Sequence, residues 1–243
     1  MPMPNETEIK LAVSNPKALL KRLKRLGAKP VFAGTGRVHE MNLLFDTPDG
    51  TVAKRGQLLR VRTETQEPTG KSSGGKLTQR ILLTFKRPPD EPSFGESPAD
   101  IHAAHGRYKV REEIELVLSD SGAMRKIFES LGFNGWFRYE KYRTTYQLPA
   151  RHKWAKGLLI EVDEVPIGTF VELEGPGDAI DHAAKELGYA PKDYVTKNYL
   201  VLYLDACRQR GEQPTDMLFP VARPARNTKS AKSKVKAKAK RKK

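Results

Sequence analysis

Apolar residues alternate with charged or polar ones in short runs along most of the chain, the period-two signature of a half-buried strand. The clearest runs are Glu6 to Val13, Leu58 to Thr63, Ile81 to Lys86, Val110 to Leu118, Tyr139 to Leu148, Leu158 to Val165 and Phe170 to Glu174. A weaker run, Glu40 to Phe45, ends in Asp46-Thr47-Pro48-Asp49-Gly50, where the fixed φ of proline and the Asp-Gly pair predict a tight reversal. Three segments carry helical spacing instead: Pro16 to Leu26, Ser121 to Leu131 and Asp178 to Leu187. Each closes on Leu-Gly, and glycine there suits a left-handed C-cap. A fourth helix is predicted from Val195 to Gln209, with Tyr199, Leu200, Leu202, Tyr203 and Leu204 as its buried stripe. Glu64 to Lys76 and Arg87 to Arg107 are loops by their Gly, Ser, Thr and Pro content. Strands of one kind interleaved with a few helices predict an α+β fold.

The charges on these strands are sorted by sign. Like charges fall two residues apart and therefore point the same way. The acidic set is Glu6 with Glu8, Glu113 with Glu115, Glu161 with Asp163, and Glu172 with Glu174; the basic set is Lys10, Arg60 with Arg62, Lys86, then Arg138, Lys141 and Arg143. Any one pair is most simply a solvated sheet face. The whole set is harder to explain that way, because like-charge neighbours cost energy unless something binds them. If the strands close into a barrel, alternate residues line its lumen. A lumen of many acids and many bases is costly to desolvate without partners, and a polyphosphate with a divalent metal supplies both. Carboxylates suit Mg²⁺ or Mn²⁺, while Arg forks and Lys point charges suit phosphate oxygens.

Composition bounds the rest. The chain has 243 residues, enough for one large domain with a substantial core. Its formal net charge of +15 points at first to nucleic acid, but eleven of the 44 Lys and Arg fall in 221–243, so 33 remain against 29 acids. The body is a mixed-charge protein with a basic appendage. The expected organisation is one domain over 1–210 and a disordered Lys/Ala-rich tail over 211–243, a candidate for weak, nonspecific polyanion binding. Cys207 is the single cysteine, which excludes a disulfide framework and a Cys-rich zinc site. With no apolar leader and no run of roughly 18 apolar residues, the expectation is a cytoplasmic protein without a membrane partner.

The ordered series Glu6-Thr7-Glu8-Ile9-Lys10, Phe45-Asp46-Thr47-Pro48, Leu59-Arg60-Val61-Arg62, Thr84-Phe85-Lys86, Glu113-Ile114-Glu115, Glu140-Lys141-Tyr142-Arg143, Glu161-Val162-Asp163 and Glu172-Leu173-Glu174 resembles the CYTH, or triphosphate tunnel metalloenzyme, family. That family includes class IV adenylyl cyclases and thiamine triphosphatases, and the resemblance runs from about Asn5 to Asp205. It implies an eight-stranded antiparallel β-barrel, with helices packed outside, that binds the triphosphate of its substrate. By the same resemblance Glu6, Glu8, Glu172 and Glu174 hold a divalent metal, Mg²⁺ or Mn²⁺, and Glu113, Glu115 and Asp163 are candidates for a second metal or its waters. Lys10, Arg60, Arg62, Lys86, Arg138 and Arg143 bind phosphates. Lys141 is the candidate for proton transfer or for orienting the nucleophile, since a lysine amid arginines should have a lowered pKa. In one departure, many members carry a tyrosine near the Phe-Asp-Thr segment, whereas this chain has Asn42-Leu43-Leu44-Phe45.

The implied reaction is cyclisation of ATP to cyclic AMP and pyrophosphate, or hydrolysis of thiamine triphosphate or inorganic triphosphate. The rival reading is a noncatalytic protein that binds polyphosphate or nucleic acid. His39 is a lesser candidate for a polar role near the missing tyrosine, His102, His105 and Asp100 form a candidate loop cluster for metal, and Cys207 is expected to pack rather than react.

Overall fold

The computed structural model describes residues 5–32, 36–66, 78–89 and 106–220. Nine strands form: β1 (Asn5–Ala12), β2 (Lys29–Pro30), β3 (Arg37–Asp46), β4 (Leu58–Gln66), β5 (Thr78–Arg87), β6 (Lys109–Leu118), β7 (Asn134–Gln147), β8 (Leu159–Val165) and β9 (Gly168–Glu174). They hydrogen-bond in the order β7-β3-β4-β5-β6-β1-β9-β8, and β8 pairs back onto β7, so eight antiparallel strands close into a barrel. The two-residue β2 is appended to the outer end of β7. Closure leaves alternate side chains inside and outside, and here the usual assignment is reversed: charges line the lumen and apolar residues face out.

The outward residues need cover, and the helices supply it. Ile9, Leu11, Ile160, Val171 and Leu173 pack against Leu19, Leu23 and Leu26 of α1 (Pro16–Leu26) and the buried Ile180, Ala183 and Ala184 of α4 (Gly177–Glu186). The side chain of Asn15 caps α1 by accepting from the Ala18 N–H at 3.0 Å, and Gly27 ends it at φ 74°, so the predicted boundaries hold. On the opposite wall Phe45 and Val61 meet Phe128 of α3 (Ser121–Ser130), the two phenyl rings edge to face with centroids 4.9 Å apart. The Asp-Thr-Pro-Asp-Gly reversal carries a short helix, α2 (Thr51–Lys54). The buried carboxylate of Asp46 accepts from the N–H groups of Val52 and Ala53 at 2.8 and 3.0 Å. That motif residue is therefore a cap.

Two boundaries differ from the sequence expectation. The last helix, α5 (Tyr199–Arg210), begins four residues late because Val195 instead exchanges both backbone hydrogen bonds with Lys10 at the edge of β1. Its buried stripe is Tyr199, Tyr203 and Cys207, at helical i, i+4, i+8 spacing, with Leu200 and Leu202 only partly covered. The described chain runs on beyond 210. Residues 211–220 lie along β7, where Met217 exchanges backbone hydrogen bonds with Arg138 and Glu140 and is buried under Tyr139 and Tyr203. Met217 and Phe219 supply the apolar burial that a Pro- and Lys-rich composition conceals. The His102, His105 and Asp100 cluster and the basic run from 221 onward lie outside the described residues. Among the described residues no helix is long and apolar enough to cross a membrane.

Candidate active site

The lumen is open toward the end where β1 begins. Toward the other end Leu44, Tyr139, Val165 and Phe170 pack with Tyr199 of α5. The Tyr199 ring lies over the ammonium groups of Lys10 and Lys141, 5.4 and 5.5 Å from its centroid. The open part is a cavity of about 450 Å³. Charged residues occupy two levels, a floor against Tyr199 and a wall around the cavity.

On the floor every charge has a close partner of opposite sign. Lys10 Nζ lies 3.1 Å from Glu8 and 3.2 Å from Glu172. Lys141 Nζ donates to Asp163 Oδ2 at 2.9 Å and lies 3.5 Å from Glu40. Arg143 donates to both oxygens of Asp163, at 2.7 and 2.6 Å, and also pairs with Glu161 and Glu172. The Tyr199 hydroxyl donates a fourth bond to Asp163, at 2.7 Å. Burial alone would raise the carboxyl of Glu8, but Lys10 and Lys109 beside it hold it at about 2. Glu40 is likewise held at about 2 against its burial, by Arg62, Lys141 and Arg143. Burial opposes the charge of Lys10 as well, and Glu172 and Glu8 override it to raise its pKa.

The wall is less balanced. Lys86 bonds Glu6 and lies 3.2 Å from Glu113. Arg60 donates to the Tyr139 hydroxyl at 3.1 Å and to Thr84 at 3.2 Å, and Arg62 donates to Asn42 at 3.1 Å. Arg80 faces Glu115 at 3.6 Å. Glu174, by contrast, is pushed up to about 8 by burial and then by the charges of Glu6 and Glu161. Glu161 is pushed up to about 7, chiefly by burial, which outweighs Arg143. Without a cation beside them, both carboxyls therefore favour the protonated form.

The structure thus sorts the residues proposed from sequence. Glu6, Arg60, Arg62, Lys86, Glu113, Glu115, Arg143 and Glu174 line the cavity. Glu8, Lys10, Lys141, Asp163 and Glu172 form the buried floor. Arg138 is on neither level: its side chain, 59% exposed, lies outside the barrel and pairs with Asp216 at 2.6 Å. Residues 138 and 141 are an odd number apart, and an unbroken strand cannot point both inward. His39 is also outside, with Nε2 2.8 Å from Glu140. The nearest charged partners of Lys141 are carboxylates, not the arginines that its sequence setting suggests.

Against this geometry the comparisons are decisive on kinship. The CYTH domain family matches residues 4–199. The chain belongs to the CYTH family. It is 26% identical over 170 residues to the Methanocaldococcus jannaschii protein named "Putative adenylate cyclase", a match covering 70% of this chain and 75% of that one. In fold the CYTH barrel is similar to the PH1819 protein of Pyrococcus horikoshii, with a TM-score of 0.57 and 21% identity over 83% of this chain and 99% of that one. It is also similar to a conserved hypothetical protein of Pyrococcus furiosus, with a TM-score of 0.53 and 23% identity over 81% and 99%.

Several residues of this CYTH lumen are absent from the like-charge pairs of the sequence. Glu40, 1% exposed, is a single acid followed two residues on by Asn42, so it made no pair. Lys109 and Arg111 do form an inward pair, with Lys109 bonded to Glu8, but the predicted strand began one residue after Lys109. Tyr199 reaches the floor from a helix, where its phenol reads as core.

A divalent cation is part of the family's chemistry, and the donor set bears on its fit. Among the described residues no three His, Cys, Asp or Glu side chains converge into a ready cage. Glu6, Glu161 and Glu174 nevertheless supply hard oxygen donors, and burial followed by the charges of Glu6 and Glu161 raises the pKa of Glu174. Such oxygen donors fit a hard divalent cation.

Proposed function

We propose that this CYTH protein is an enzyme that acts on the triphosphate group of its substrate with the help of Mg²⁺ or Mn²⁺. The observation that carries the reading is the cavity wall, where Arg60, Arg62, Arg80, Lys86 and Arg143 surround one space with the carboxyls of Glu6, Glu161 and Glu174 beside them. A bare cationic pocket would fit any anion. A cationic pocket with its own carboxylate cluster fits an anion that arrives with a metal.

In this reading the arginines and Lys86 grip phosphate oxygens, the Arg forks fixing orientation and Lys86 acting as a point charge. Glu6, Glu161 and Glu174 would hold the ion, with Glu8 and Glu172 behind them. When bound, the ion supplies positive charge at the phosphate oxygens on which negative charge develops. Lys86, which pairs with Glu6 and Glu113, would be available to phosphate wherever those carboxylates were engaged by an ion. Lys141, held between Asp163 and Glu40, orients Arg143 by sharing Asp163 with it.

The test is to incubate the purified chain with ATP, thiamine triphosphate and inorganic triphosphate, each with Mg²⁺ or Mn²⁺, and to identify the products. Cyclic AMP with pyrophosphate marks a cyclase, and orthophosphate marks a triphosphatase. Tight metal-dependent binding with no product from any of the three would support the noncatalytic polyphosphate-binding reading instead.

A further inference from the structure

From Ile9 to His39 the chain holds eight bases and no acid, which leaves 25 Lys and Arg against 29 acids for the rest of the chain before 221. The positive charge of the body is thus concentrated in one stretch. Lys10 belongs to the floor, but Lys17, Lys21, Lys24 and Arg25 of α1 and Lys29 of β2 are all exposed. α1 turns Leu19, Leu23 and Leu26 to the barrel, so Lys17, Lys21 and Lys24 rise on its outer side about one per turn, with Arg25 beside them. Among the described residues none of the five makes an ion pair.

Helix stability does not account for this stripe. Lys24 and Arg25 suit the negative end of the helix dipole, but Lys17 stands at the positive end, and the first turn has no acid. Lys17 with Lys21, and Lys21 with Arg25, are like charges at i and i+4, which weaken a helix. A second basic element starts close by. Residues 211–220 lie along β7, and Phe219 packs on Tyr142 with ring centroids 5.4 Å apart. That point is four residues along β7, about 13 Å, from Tyr146, where β2 pairs. From there 221–243 brings eleven bases and no acid, over a length that reaches at most about 80 Å.

We infer that the outer face of α1 is a docking surface for the phosphodiester backbone of a nucleic acid, with the basic C-terminal run as a second arm on the same strand. Two linked arms gain affinity together that neither has alone. The unpaired cations fit a partner of high and regular negative charge, and a nucleic-acid backbone has that along its whole length. A membrane fits less well. A helix lying in a lipid surface buries its apolar face there, and the apolar face of α1 is already buried on the barrel, leaving only Leu20, 48% exposed, among the lysines. Because the surface is outside the barrel, the inference goes beyond the triphosphate reading and stands whether or not that reading holds.

The probe is a fluorescein-labelled single-stranded RNA with a 5′-hydroxyl, which offers the cavity no triphosphate. Its binding to the full chain is followed by anisotropy across a salt series. Lys17→Gln/Lys21→Gln/Lys24→Gln/Arg25→Gln should weaken binding by roughly tenfold or more and lower the slope of log affinity against log salt by about 3, the value for four phosphate contacts on a single strand. A control that removes four bases elsewhere, Lys54→Gln/Arg55→Gln/Lys126→Gln/Arg208→Gln, should change the slope by less than about 1. Changing the eleven bases of 221–243 to Gln should weaken binding further in the α1 variant. Glutamine keeps helix propensity at these exposed positions, and a circular dichroism melt verifies folding. The inference is overturned if the RNA does not bind at 50 mM salt, if the α1 and control variants lose affinity equally, or if phosphatidylserine vesicles are bound in preference to the RNA. It is overturned as a separate surface if the α1 variant also loses metal-dependent binding of inorganic triphosphate.

Discussion

The floor and the wall of the same barrel are built from the same residue types and solve different problems. On the floor, Glu8 and Glu40 are held near 2 by the cations packed against them, and burial is overridden by pairing. On the wall, a few ångströms nearer the mouth, Glu174 and Glu161 are pushed up to about 8 and 7 because burial and like charges outweigh the cations in reach. A matched network needs no ligand, whereas an unmatched one gains by binding one. Pairing of sign thus distinguishes structural charge from binding charge, where burial alone does not, since Asp163 and Glu161 are both buried.

The comparison breaks most visibly at Lys141. Replacing it by Met leaves Asp163 and Glu40 without one of their shared cations, and breaking such a buried pair costs about 3–5 kcal/mol. Denaturant unfolding of Lys141→Met should show that loss in the metal-free protein. A variant that keeps full stability and loses only turnover would place Lys141 with the reacting groups and erase the distinction between the levels.

The wall should behave oppositely. Glu6→Gln with Glu174→Gln takes two carboxyls from this crowded wall and leaves Lys86 with Glu113 as its partner, so the fold should lose far less than in Lys141→Met, while metal-dependent turnover drops by roughly a hundredfold or more. Melting curves and initial rates on the same preparation separate the two effects. Normal turnover in this double variant would remove the cation from the wall.

Acidity sharpens the same contrast. The folded pKa of Glu174, about 8, lies above its ordinary value of 4.5, so between those limits the folded state binds more protons than the unfolded state. Stability from this group is fully present below about pH 4.5 and falls as pH rises through about 8. Glu8 and Glu40 are depressed, so their contribution is present above 4.5 and is lost as pH falls toward about 2. Glu174→Gln alone should therefore gain on the parent steadily from about pH 5 to about pH 8 in chelator. A constant difference across that range would mean that the wall carboxylates are not crowded.

Much of this was legible in the chain. Like charges at i and i+2 cannot both be comfortable on a dry face, and that rule found Glu6 with Glu8, Arg60 with Arg62, and Glu172 with Glu174. It missed Glu40 because a lone acid violates nothing locally, and its partners Arg62 and Lys141 come from neighbouring strands β4 and β7. The division into floor and wall was not legible either. It depends on register, such as Glu8 opposite Glu174 and Lys10 opposite Glu172, and on a helix that places Tyr199 against Asp163 from 36 residues away. The Lys141 environment was misjudged for the same reason: its sequence neighbours are basic, but its spatial neighbours are acidic.

Arg138 offers the smallest effect and tests whether strand phase really divides inside from outside. Its guanidinium lies on the outer face of β7, where it holds Asp216 of the segment that follows α5. An exposed pair of this kind contributes about 0–1 kcal/mol. Arg138→Ala should therefore leave triphosphate affinity at the parental value and lower the melting temperature slightly, while Arg60→Ala, of the opposite phase, should weaken binding strongly. If Arg138→Ala weakened binding as much as Arg60→Ala, the strand phase would be misassigned, and the floor and wall would have to be redrawn together, since Lys141 and Arg143 lie on the same strand and are phased by the same alternation.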